Sequence, residues 1–363
     1  MPHTRLRIPL QETFYTARCR LRLPQESDIA HGWSATRYTG FNDGMAWETP
    51  KRVEELQQAH QRSMRRWLEG SAYSWTIENK FDGEFIGRMG IRHDNGARWS
   101  LGFWIHPEQQ FQGYGTECAR AALSIGFDRL QAQCIQAGYV EGNTPSQRII
   151  EKLCLLPVRE NPCRFMKNGE CIATREFEVC RDSWQAVREQ SNERRLAALH
   201  HALHMGTDYQ ARSGLLRQLE AEVVVPVGKD VFGREQYMLA AAADPWRAMQ
   251  AAADADGVEI QLVSAFRSVD YQQQIIERKL AKGEKIQDIL TVNAAPGFSE
   301  HHTGCAIDLA STECEHLSEA FERTAAFAWL QAHAADYGFY LSYPRDNPNA
   351  IIYEPWHWAW RSK

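Results

Sequence analysis

The sequence predicts an α+β protein with two domains, and three observations lead to this prediction. The chain has 363 residues, more than a single hydrophobic core usually organises. Strand-like alternation and helix-like spacing of apolar residues are intermixed along both halves of the chain. A segment that is rich in charge and free of glycine and proline has the composition of a connecting helix. We therefore expect one domain over residues 1–182, a helical linker over 183–204, and a second domain over 205–363.

The composition excludes several classes of partner. The formal net charge is −5 and the hydrophobic share is 44%, so we expect a globular protein that binds no nucleic acid. No apolar run approaches the ~20 residues that span a bilayer, and charges interrupt the first residues, where a secretory leader would be apolar. The nine cysteines are scattered without a CxxC pair, so we expect neither a disulfide framework nor a structural cysteine–zinc site. These features predict a cytoplasmic protein without a membrane partner, in which most cysteines are buried.

The first half combines predicted strands and helices with one glycine-bearing loop. The predicted elements are a hairpin around Asp82-Gly83, a strand, a helix, a strand, a helix and a final strand, over residues 71–93, 99–107, 116–130, 134–140, 145–153 and 174–180. Within EQQFQGYGTECARAAL, Gly113 and Gly115 lie between a strand and a helix that begins near Thr116. Such a loop lets the backbone approach a phosphate at a helix start. The spacing matches neither GxGxxG nor a P-loop, so a plain tight connection is an equal alternative.

Two motifs in this half resemble those of the GNAT acetyltransferase superfamily, most closely its branch of ribosomal-protein and amino-acid N-acetyltransferases. The motif Q/R-x-x-G-x-G/A falls in "QFQGYGTE". The motif N-x-x-S-x-x-x-x-E-K falls in "GNTPSQRIIEKL". The resemblance implies a splayed, mostly antiparallel sheet and acetyl-CoA as the donor. It also implies a set of cofactor-binding residues: Gln110, Gln112, Gly113, Tyr114, Gly115, Thr116, Asn143 and Ser146.

The acetyl acceptor and its general base stay open at this point. Transfer to an amine requires the loss of a proton. Glu78, Glu84 and His93 have suitable side chains, but we expect each to be a solvated surface residue. The family often has Leu-Gly-Phe after its Glu-Lys pair, whereas here Leu153 precedes Cys-Leu-Leu-Pro. The alternative is therefore that this half is a non-catalytic module that binds CoA or a substrate.

The second half carries two groups of side chains that could bind a metal. The predicted helices and strands cover residues 245–255, 258–266, 271–281, 305–310 and 318–337. "GFSEHHTGCAIDL" contains two histidines and an aspartate, and "IIYEPWHWAW" contains a third histidine three residues after a glutamate. His and Asp are ordinary zinc ligands, and a nearby Glu is the usual base in hydrolysis. By residue type alone, half-buried structural histidines are the more common reading. Strand alternation would place His302, rather than His301, on the same face as Asp308.

This half resembles the VanY/VanX-type family of zinc D-alanyl-D-alanine carboxypeptidases and dipeptidases. The motifs S-x-H-x-x-G-x-A-x-D and E-x-W-H are both present, and "VSAFRSVDYQ" matches an upstream segment. The resemblance implies a hedgehog/VanX-like α+β fold. It implies that His301, Asp308 and His357 hold zinc. It further implies that Glu354 activates the zinc-bound water, and that Arg267 holds the scissile carbonyl or a carboxylate.

The resemblance also implies substrate-binding positions and shows two departures from the family pattern. Residues that would shape the substrate pocket are Ser264, Gln272, Ser299 and Trp356. Phe266 stands where the family often has Tyr, and Ser342 where it often has Arg. The sequence therefore predicts a bifunctional enzyme, which is a zinc D,D-peptidase on peptidoglycan-derived peptides and an acetyl-CoA-dependent N-acetyltransferase. The alternatives are a wall-peptide endopeptidase and a fusion that detoxifies a peptide antibiotic.

Overall fold

A computed structural model of the protein describes residues 7–95, 98–349 and 351–362, so parts of both predicted domains lie outside it. The chain forms two compact units, Met1–Val187 and Arg188–Lys363. A long helix, α5 (Arg181–Ala202), carries the chain from the first unit into the second. It overlaps the segment that we predict as a linker, and the domain limits themselves stay a prediction. Among the described residues, no helix is both long and apolar enough to cross a membrane.

The first unit is built on an eight-stranded sheet with the order β1-β2-β3-β4-β5-β6-β8-β7. The strands are β1 (Phe14–Tyr15), β2 (Cys19–Arg22), β3 (Ala72–Asn79), β4 (Phe85–Asn95), β5 (Arg98–Ile105), β6 (Cys134–Val140), β7 (Leu156–Lys167) and β8 (Glu170–Cys180). Every neighbouring pair is antiparallel except β5 and β6. The prediction of a mostly antiparallel sheet is therefore confirmed.

Four helices cover this sheet. They are α1 (Asp28–Ala35), α2 (Val53–Glu69), α3 (Tyr114–Ser124) and α4 (Thr144–Lys152). Helix α3 packs on β4 and β5, where Met89, Ile91 and Leu123 are almost fully buried. Helix α2 contacts β3. The predicted hairpin at Asp82-Gly83 forms, because Gly83 adopts the positive φ of 78° that its turn requires.

The sheet opens between β5 and β6. The two strands run parallel and pair only at Arg98–Ser100 with Cys134–Gln136. Beyond these residues β5 keeps its pairing with β4, and β6 keeps its pairing with β8. The two strands therefore part towards the C-terminal end of β5, which is the end that leads into the glycine loop.

Four cysteines of this unit form disulfides, so the expectation of unpaired cysteines was wrong for them. Cys134 and Cys180 are directly opposed on β6 and β8, and Cys163 and Cys171 lie on the β7–β8 hairpin. Cross-strand register sets these pairings, and the spacing of cysteines in the sequence does not reveal register. Disulfides are typical of oxidising compartments. The cysteine pattern therefore no longer supports the expectation of a cytoplasmic location.

The second unit contains a four-stranded antiparallel sheet and a separate hairpin. The sheet has the order β11-β12-β14-β13, and the hairpin pairs β9 with β10. The strands are β9 (Val225–Lys229), β10 (Glu235–Met238), β11 (Gln261–Ser264), β12 (Ala306–Ala310), β13 (Phe339–Leu341) and β14 (His357–Trp360). The helices are α6 (Tyr209–Ser213), α7 (Ala240–Ala255), α8 (Val269–Ala281), α9 (Ile286–Val292) and α10 (Ala325–His333). The α+β class is thus confirmed.

The predicted helices of this unit have different limits in the structure, and α8 begins two residues earlier than predicted, at Val269. Helix α7 begins at Ala240, so that Pro245 lies inside it rather than at its start. The predicted helix over residues 318–337 is divided, because the Thr324 hydroxyl accepts a hydrogen bond from the Phe327 N–H and caps a new helix there. Short 3₁₀ turns, Glu319–Arg323 and Ala334–Tyr337, flank α10.

The end of α5 belongs to the hydrophobic core of the second unit. The core cluster includes Leu196 and Leu199 of α5, Leu203 directly after this helix, Ile276 of α8 and Ile289 of α9. Leu196 and Leu199 are three residues apart, so they lie on one face of α5. This packing anchors the helix against the elements that surround the metal-binding motifs.

Candidate functional site

Two strands and a 3₁₀ turn place the predicted metal ligands side by side. The register of β11, β12 and β14 aligns Ser264 with Asp308 and Asp308 with His357, so their side chains share one face of the sheet. His301 reaches the same position from a 3₁₀ turn, Glu300–Thr303, which ends at Gly304 with a φ of 70°. The three predicted ligands are all buried, with at most 5% of each residue exposed.

The ligand atoms of these residues converge. The Nε2 atom of His301 lies 3.1 Å from Oδ2 of Asp308, and the Nδ1 atom of His357 lies 2.9 Å from Oδ1 of Asp308. One ligand atom from each of the three residues lies within 4.8 Å of the others. Two imidazole nitrogens and one carboxylate form the type of donor set that holds a catalytic zinc with one open position.

The second nitrogen of each imidazole has its own acceptor. The Nδ1 atom of His301 lies 2.6 Å from the carbonyl oxygen of Ala265, so Nδ1 carries the proton and Nε2 keeps a lone pair. The Nε2 atom of His357 lies 2.9 Å from Oε2 of Glu300, which leaves Nδ1 to face Asp308. Metal-binding histidines usually have such an outer acceptor, because it fixes the tautomer and the ring orientation. The residues therefore fit a zinc ion.

Burial and neighbouring charges shift the pKa values of the three predicted ligands. Burial alone would raise the pKa of the Asp308 carboxyl, but the imidazoles of His301 and His357 hold it well below its usual range. Burial lowers the pKa of His301 and so favours its neutral, metal-binding form. Burial also acts to lower the pKa of His357, yet hydrogen bonds to Asp308 and Glu300 raise it to about 10. A proton and a metal ion therefore compete for the Nδ1 lone pair of His357.

His302 faces away from this cluster. Its ring is fully buried, the Gly297 N–H donates to Nε2 at 3.0 Å, and Nδ1 donates to the carbonyl oxygen of Arg267 at 2.6 Å. Burial lowers its pKa to about 3, so the ring is neutral and both nitrogens are used. Strand alternation favoured His302, but it does not apply because residues 300–303 form a 3₁₀ turn.

Glu354 and Arg267 lie beside the three ligands. The Oε2 atom of Glu354 is 4.0 Å from Nδ1 of His357, and burial raises the pKa of Glu354 to about 7. The guanidinium of Arg267 donates to Oδ2 of Asp308 at 3.1 Å, and more weakly to the hydroxyl of Ser264 at 3.4 Å. It also donates to Oε1 of Gln272 at 3.1 Å. These residues are thus brought together with the ligands, as the motifs imply.

The remaining predicted pocket residues are buried next to the ligands. Ser299 precedes the 3₁₀ turn, and its carbonyl oxygen accepts the N–H of His302 at 3.1 Å. Trp356 precedes His357, and its carbonyl oxygen accepts the N–H of Leu309 at 3.0 Å. Sequence reasoning missed Glu300, although its place directly before a ligand histidine was an available signal.

In the first unit, the predicted phosphate loop leads into α3. Gly113 has a φ of 87° and precedes the helix, and Gln112 is exposed. The backbone N–H groups of Tyr114, Gly115 and Thr116 lie in the first turn, where an α-helix offers them no internal acceptor. The Gln110 side chain instead supports the loop, since its Nε2 donates to the carbonyl oxygen of Ile105 at 3.0 Å.

Gly115, Asn143 and Ser146 hold α3 and α4 in place. A Cβ atom on Gly115 would lie 2.9 Å from Cδ1 of Ile149, so this glycine permits close packing against α4. The Asn143 side chain caps α4 by accepting the N–H of Ser146 at 3.1 Å. We expected the helix to begin near Thr116, whereas α3 begins at Tyr114.

Sequence reasoning also missed Arg18, which braces the loop. Its Nη1 donates to the carbonyl oxygen of Gln112 at 3.0 Å, and its Nε donates to Oε2 of Glu117 at 2.7 Å. Its guanidinium lies over the Tyr114 ring, 4.4 Å from the centroid. No signal in the sequence could indicate this contact, because Arg18 lies about ninety residues away from the loop.

The three side chains considered as a base have different surroundings. Glu78 is only 6% exposed and accepts hydrogen bonds from Arg20 and Arg22, so the expectation of a solvated role was wrong for it. Glu84 is exposed, and the His93 ring packs edge-on against Trp99 at 5.2 Å. The local sequence around Glu78 does not show that β2 supplies two arginines opposite it.

Two family models match separate parts of this chain. Residues 18–154 match the family model of the acetyltransferase (GNAT) domain, and residues 235–363 match that of the VanY D-alanyl-D-alanine carboxypeptidases. The chain joins a GNAT domain to a VanY domain. The two resemblances that the sequence predicts are thus confirmed, as is the fold class.

Individual relatives are similar over parts of their length. The provisionally named carboxypeptidase YodJ of Bacillus subtilis is 39% identical over 129 residues, which are 34% of this chain and 46% of YodJ. VanXYC of Enterococcus gallinarum, a bifunctional D-Ala-D-Ala dipeptidase and carboxypeptidase, is 33% identical over 107 residues, or 28% of this chain and 56% of VanXYC. This chain therefore matches only about half the length of these relatives.

Among solved structures, a spermidine N-acetyltransferase from Vibrio cholerae in complex with CoA and spermine is similar to this chain. It is 15% identical, with a TM-score of 0.42, and the match covers 47% of this chain and 99% of that one.

Proposed function

We propose that the protein is a bifunctional enzyme. Its VanY domain is a zinc-dependent D-alanyl-D-alanine carboxypeptidase or dipeptidase that acts on peptidoglycan-derived peptides, and its GNAT domain is an acetyl-CoA-dependent N-acetyltransferase. One observation carries the first half of the proposal. His301, Asp308 and His357 converge in a buried cluster, and the outer nitrogen of each imidazole is held by its own acceptor.

The side chains around this cluster have distinct tasks in hydrolysis. When bound, zinc supplies a Lewis acid that polarises the scissile carbonyl and lowers the pKa of water towards ~7. Glu354 takes the proton of the attacking water and delivers it to the leaving amine, and a pKa of about 7 suits both steps. Arg267 balances the charge of Asp308 and has further N–H groups for a substrate carbonyl or carboxylate. Ser264, Gln272, Ser299 and Trp356 shape the surrounding pocket.

Mass spectrometry of defined muropeptides tests the hydrolytic activity. Protein with bound zinc should release the terminal D-alanine from a pentapeptide and should split D-alanyl-D-alanine. Treatment with a chelator should abolish the release, and added zinc should restore it. Hydrolysis that persists after chelation would contradict the zinc assignment. A cut at an internal bond would instead support the endopeptidase alternative.

The first turn of α3 supports the acetyltransferase proposal. The N–H groups of Tyr114, Gly115 and Thr116 and the helix dipole favour the pyrophosphate of acetyl-CoA. The opening between β5 and β6 lies beside this loop and would receive the rest of the cofactor. Calorimetry with acetyl-CoA and a turnover assay on a panel of amines test this activity. Binding without turnover would support the alternative of a non-catalytic module.

The location of the protein is part of the same proposal. A cytoplasmic protein would meet acetyl-CoA, its proposed donor, and soluble wall peptides. The two disulfides favour the opposite, since cytoplasmic thiols are kept reduced. Thiol labelling of protein taken directly from its cells would decide between these readings.

A further inference from the structure

A cavity of about 680 Å³ lies over one face of the GNAT sheet. The strand register sets Ser74, Gly90 and Gly102 side by side across β3, β4 and β5, and all three line the cavity. A Cβ atom on Gly102 would meet no other atom within 4 Å. Small residues thus leave an open floor at the centre of the sheet, and α2 forms a wall through Ser63.

Arg88 lies at the edge of this floor. It pairs in register with Thr76 and Trp104, two residues along β4 from Gly90, and therefore shares the face of the cavity. Its Nε and Nη2 atoms are buried and have no hydrogen-bond partner in the described part of the chain. Burial lowers the pKa of this guanidinium. A charged group without a partner is destabilising in a buried position, so its presence here requires an explanation.

Asp28, the carboxylate whose charge acts on Arg88, already accepts hydrogen bonds from other donors. Asp28 receives both Nη atoms of Arg22 at 2.9 and 2.8 Å, the Thr76 hydroxyl at 2.6 Å, and the Gln25 N–H at 2.8 Å. Three of these donors reach Oδ2 and one reaches Oδ1, so both oxygens of Asp28 are already hydrogen-bonded. Glu78 accepts hydrogen bonds from Arg20 and Arg22 in the same way. Within residues 7–95, 98–349 and 351–362, no protein atom therefore accepts a hydrogen bond from Nε or Nη2 of Arg88.

The lining of the cavity carries an excess of positive charge. Its charged residues are Arg66, Arg88, Arg92, Arg159, Arg164, Asp94 and Glu176. Glu176 pairs with both Arg159 and Arg164, at 2.7 and 3.3 Å, and Asp94 pairs with Arg92 at 3.4 Å. More guanidinium groups than carboxylates therefore face the cavity, so it favours an anionic group.

The cavity also reaches the cofactor side of the domain. Asn143 and Ser146, which the family motif assigns to cofactor binding, line it together with Arg88. A molecule bound over the glycine floor can therefore extend from Arg88 towards the place where the acetyl group would lie. One buried guanidinium matches one carboxylate in charge and can bind it through two parallel hydrogen bonds.

We propose that this cavity is the acetyl-acceptor site and that Arg88 binds a carboxylate of the acceptor. The acceptor class is then an amine that also carries a carboxylate, such as an amino acid or a short peptide, rather than a polyamine. In the reaction the amine nitrogen bonds to the acetyl carbon, the carbon–sulfur bond breaks, and the proton lost by the amine ends on the CoA thiol. The inference rests on the proposed acetyltransferase activity and names its substrate class.

Matched acceptors test the inference in the full-length protein. Lysine is compared with cadaverine, which lacks the carboxylate, and alanyl-alanine is compared with its C-terminal amide. We expect KM to be roughly tenfold to a hundredfold lower for each carboxylate-bearing partner, because a hydrogen-bonded charge is removed from the other. Lysine and alanyl-alanine also distinguish a free amino acid from a peptide.

Arg88→Gln should remove the difference in KM between acceptors with and without a carboxylate, because it raises KM for the carboxylate-bearing acceptor. The affinity for acetyl-CoA should be unchanged, and Arg88→Lys should restore part of the difference. Arg65→Gln, an exposed arginine on α2 outside the cavity, is the matched control.

Binding of a reaction product separates failure of this inference from failure of the proposed activity. Calorimetry with CoA present compares Nα-acetyl-lysine with N-acetylcadaverine and needs no turnover. Equal binding of the two, or equal binding of Nα-acetyl-lysine by wild type and Arg88→Gln, would overturn the inference even in an active acetyltransferase. Tighter binding of the carboxylate that depends on Arg88, without turnover on any amine, would support the inference and reject the activity. Arg88→Met should keep or raise the melting temperature, and a large fall would show a structural role instead.

Discussion

His301 and His302 are neighbours in the chain, but their rings make opposite contacts. The Nε2 atom of His301 faces Asp308, whereas both nitrogens of His302 are bound to the backbone, at Gly297 and Arg267. His301→Ala should therefore lose bound zinc. His302→Ala should keep it and should lower the free energy of unfolding by about 1–3 kcal/mol, because a buried donor and acceptor lose their partner.

Atomic emission on dialysed protein measures the zinc content, and urea unfolding measures the stability. Zinc that is lost in His302→Ala but kept in His301→Ala would reverse the assignment. The motif identifies His301 from the sequence, but the reason for the choice is a backbone conformation. The 3₁₀ turn at Glu300–Thr303 rotates successive side chains by about a third of a turn, so strand parity fails there.

We expect Glu300 to act on the proposed metal centre through His357. Its carboxylate accepts the Nε2 proton of His357 at 2.9 Å and so orients Nδ1 towards Asp308. Glu300→Gln keeps an acceptor but removes its charge, and should weaken zinc binding by roughly tenfold to a hundredfold. Competition with a calibrated chelator measures this affinity. Glu315→Gln, an exposed carboxylate in the same domain, is the control and should bind zinc like wild type.

If Glu300→Gln bound zinc as tightly as wild type, the orienting role would be excluded. Glu300 illustrates which part of the site a sequence can indicate. The family motifs imply the proposed ligands and Glu354, because each motif fixes the spacing of these residues in the sequence. The hydrogen bonds to the outer imidazole nitrogens, such as that of His301 to the carbonyl oxygen of Ala265, form between segments that are distant in the sequence. The spacing of residues in a motif does not indicate them.

At the scale of elements, the glycine that follows the 3₁₀ turn joins His301 to Asp308. Gly304 has a φ of 70°, and a Cβ atom there would lie 2.7 Å from the backbone nitrogen of Leu239. Gly304→Ala should therefore displace the turn, weaken zinc binding and destabilise the domain. Gly283→Ala is the control, because Gly283 has a φ of 86° but open space around it. The control should cost only the conformational strain, roughly 1–2 kcal/mol.

Zinc content and urea unfolding of the two variants decide this prediction. Equal effects of the two substitutions would mean that positive φ alone matters and that contact with Leu239 does not. Among the elements, regular hairpins and amphipathic helices could be predicted because local pattern determines them. Three features could not be predicted, because packing and register between distant segments determine them. They are the start of α7, the division of the helix at Thr324 and the Cys134–Cys180 disulfide.

At the scale of the whole molecule, each compact unit contains a complete site. The loop from Gln110 to Thr116 and the Arg88 cavity lie within Met1–Val187, whereas the proposed zinc ligands and Glu354 lie within Arg188–Lys363. No residue of one unit is needed to complete the chemistry that we propose for the other. The two activities should therefore be lost separately.

Two substitutions test this separation in the full-length protein. Glu354→Gln should lower the rate of hydrolysis at least ~100-fold, because the proton acceptor is lost, with zinc content and acetyl transfer unchanged.

Gln112→Glu places a negative charge beside the free N–H groups of α3. This substitution should weaken acetyl-CoA binding roughly tenfold, with hydrolysis unchanged. Gln112 suits this test better than Gly115, since any side chain at Gly115 would first meet Ile149. Gln57→Glu, an exposed position on α2, controls for the added charge. If either substitution changed both activities, the two sites would be coupled and the separation would be wrong.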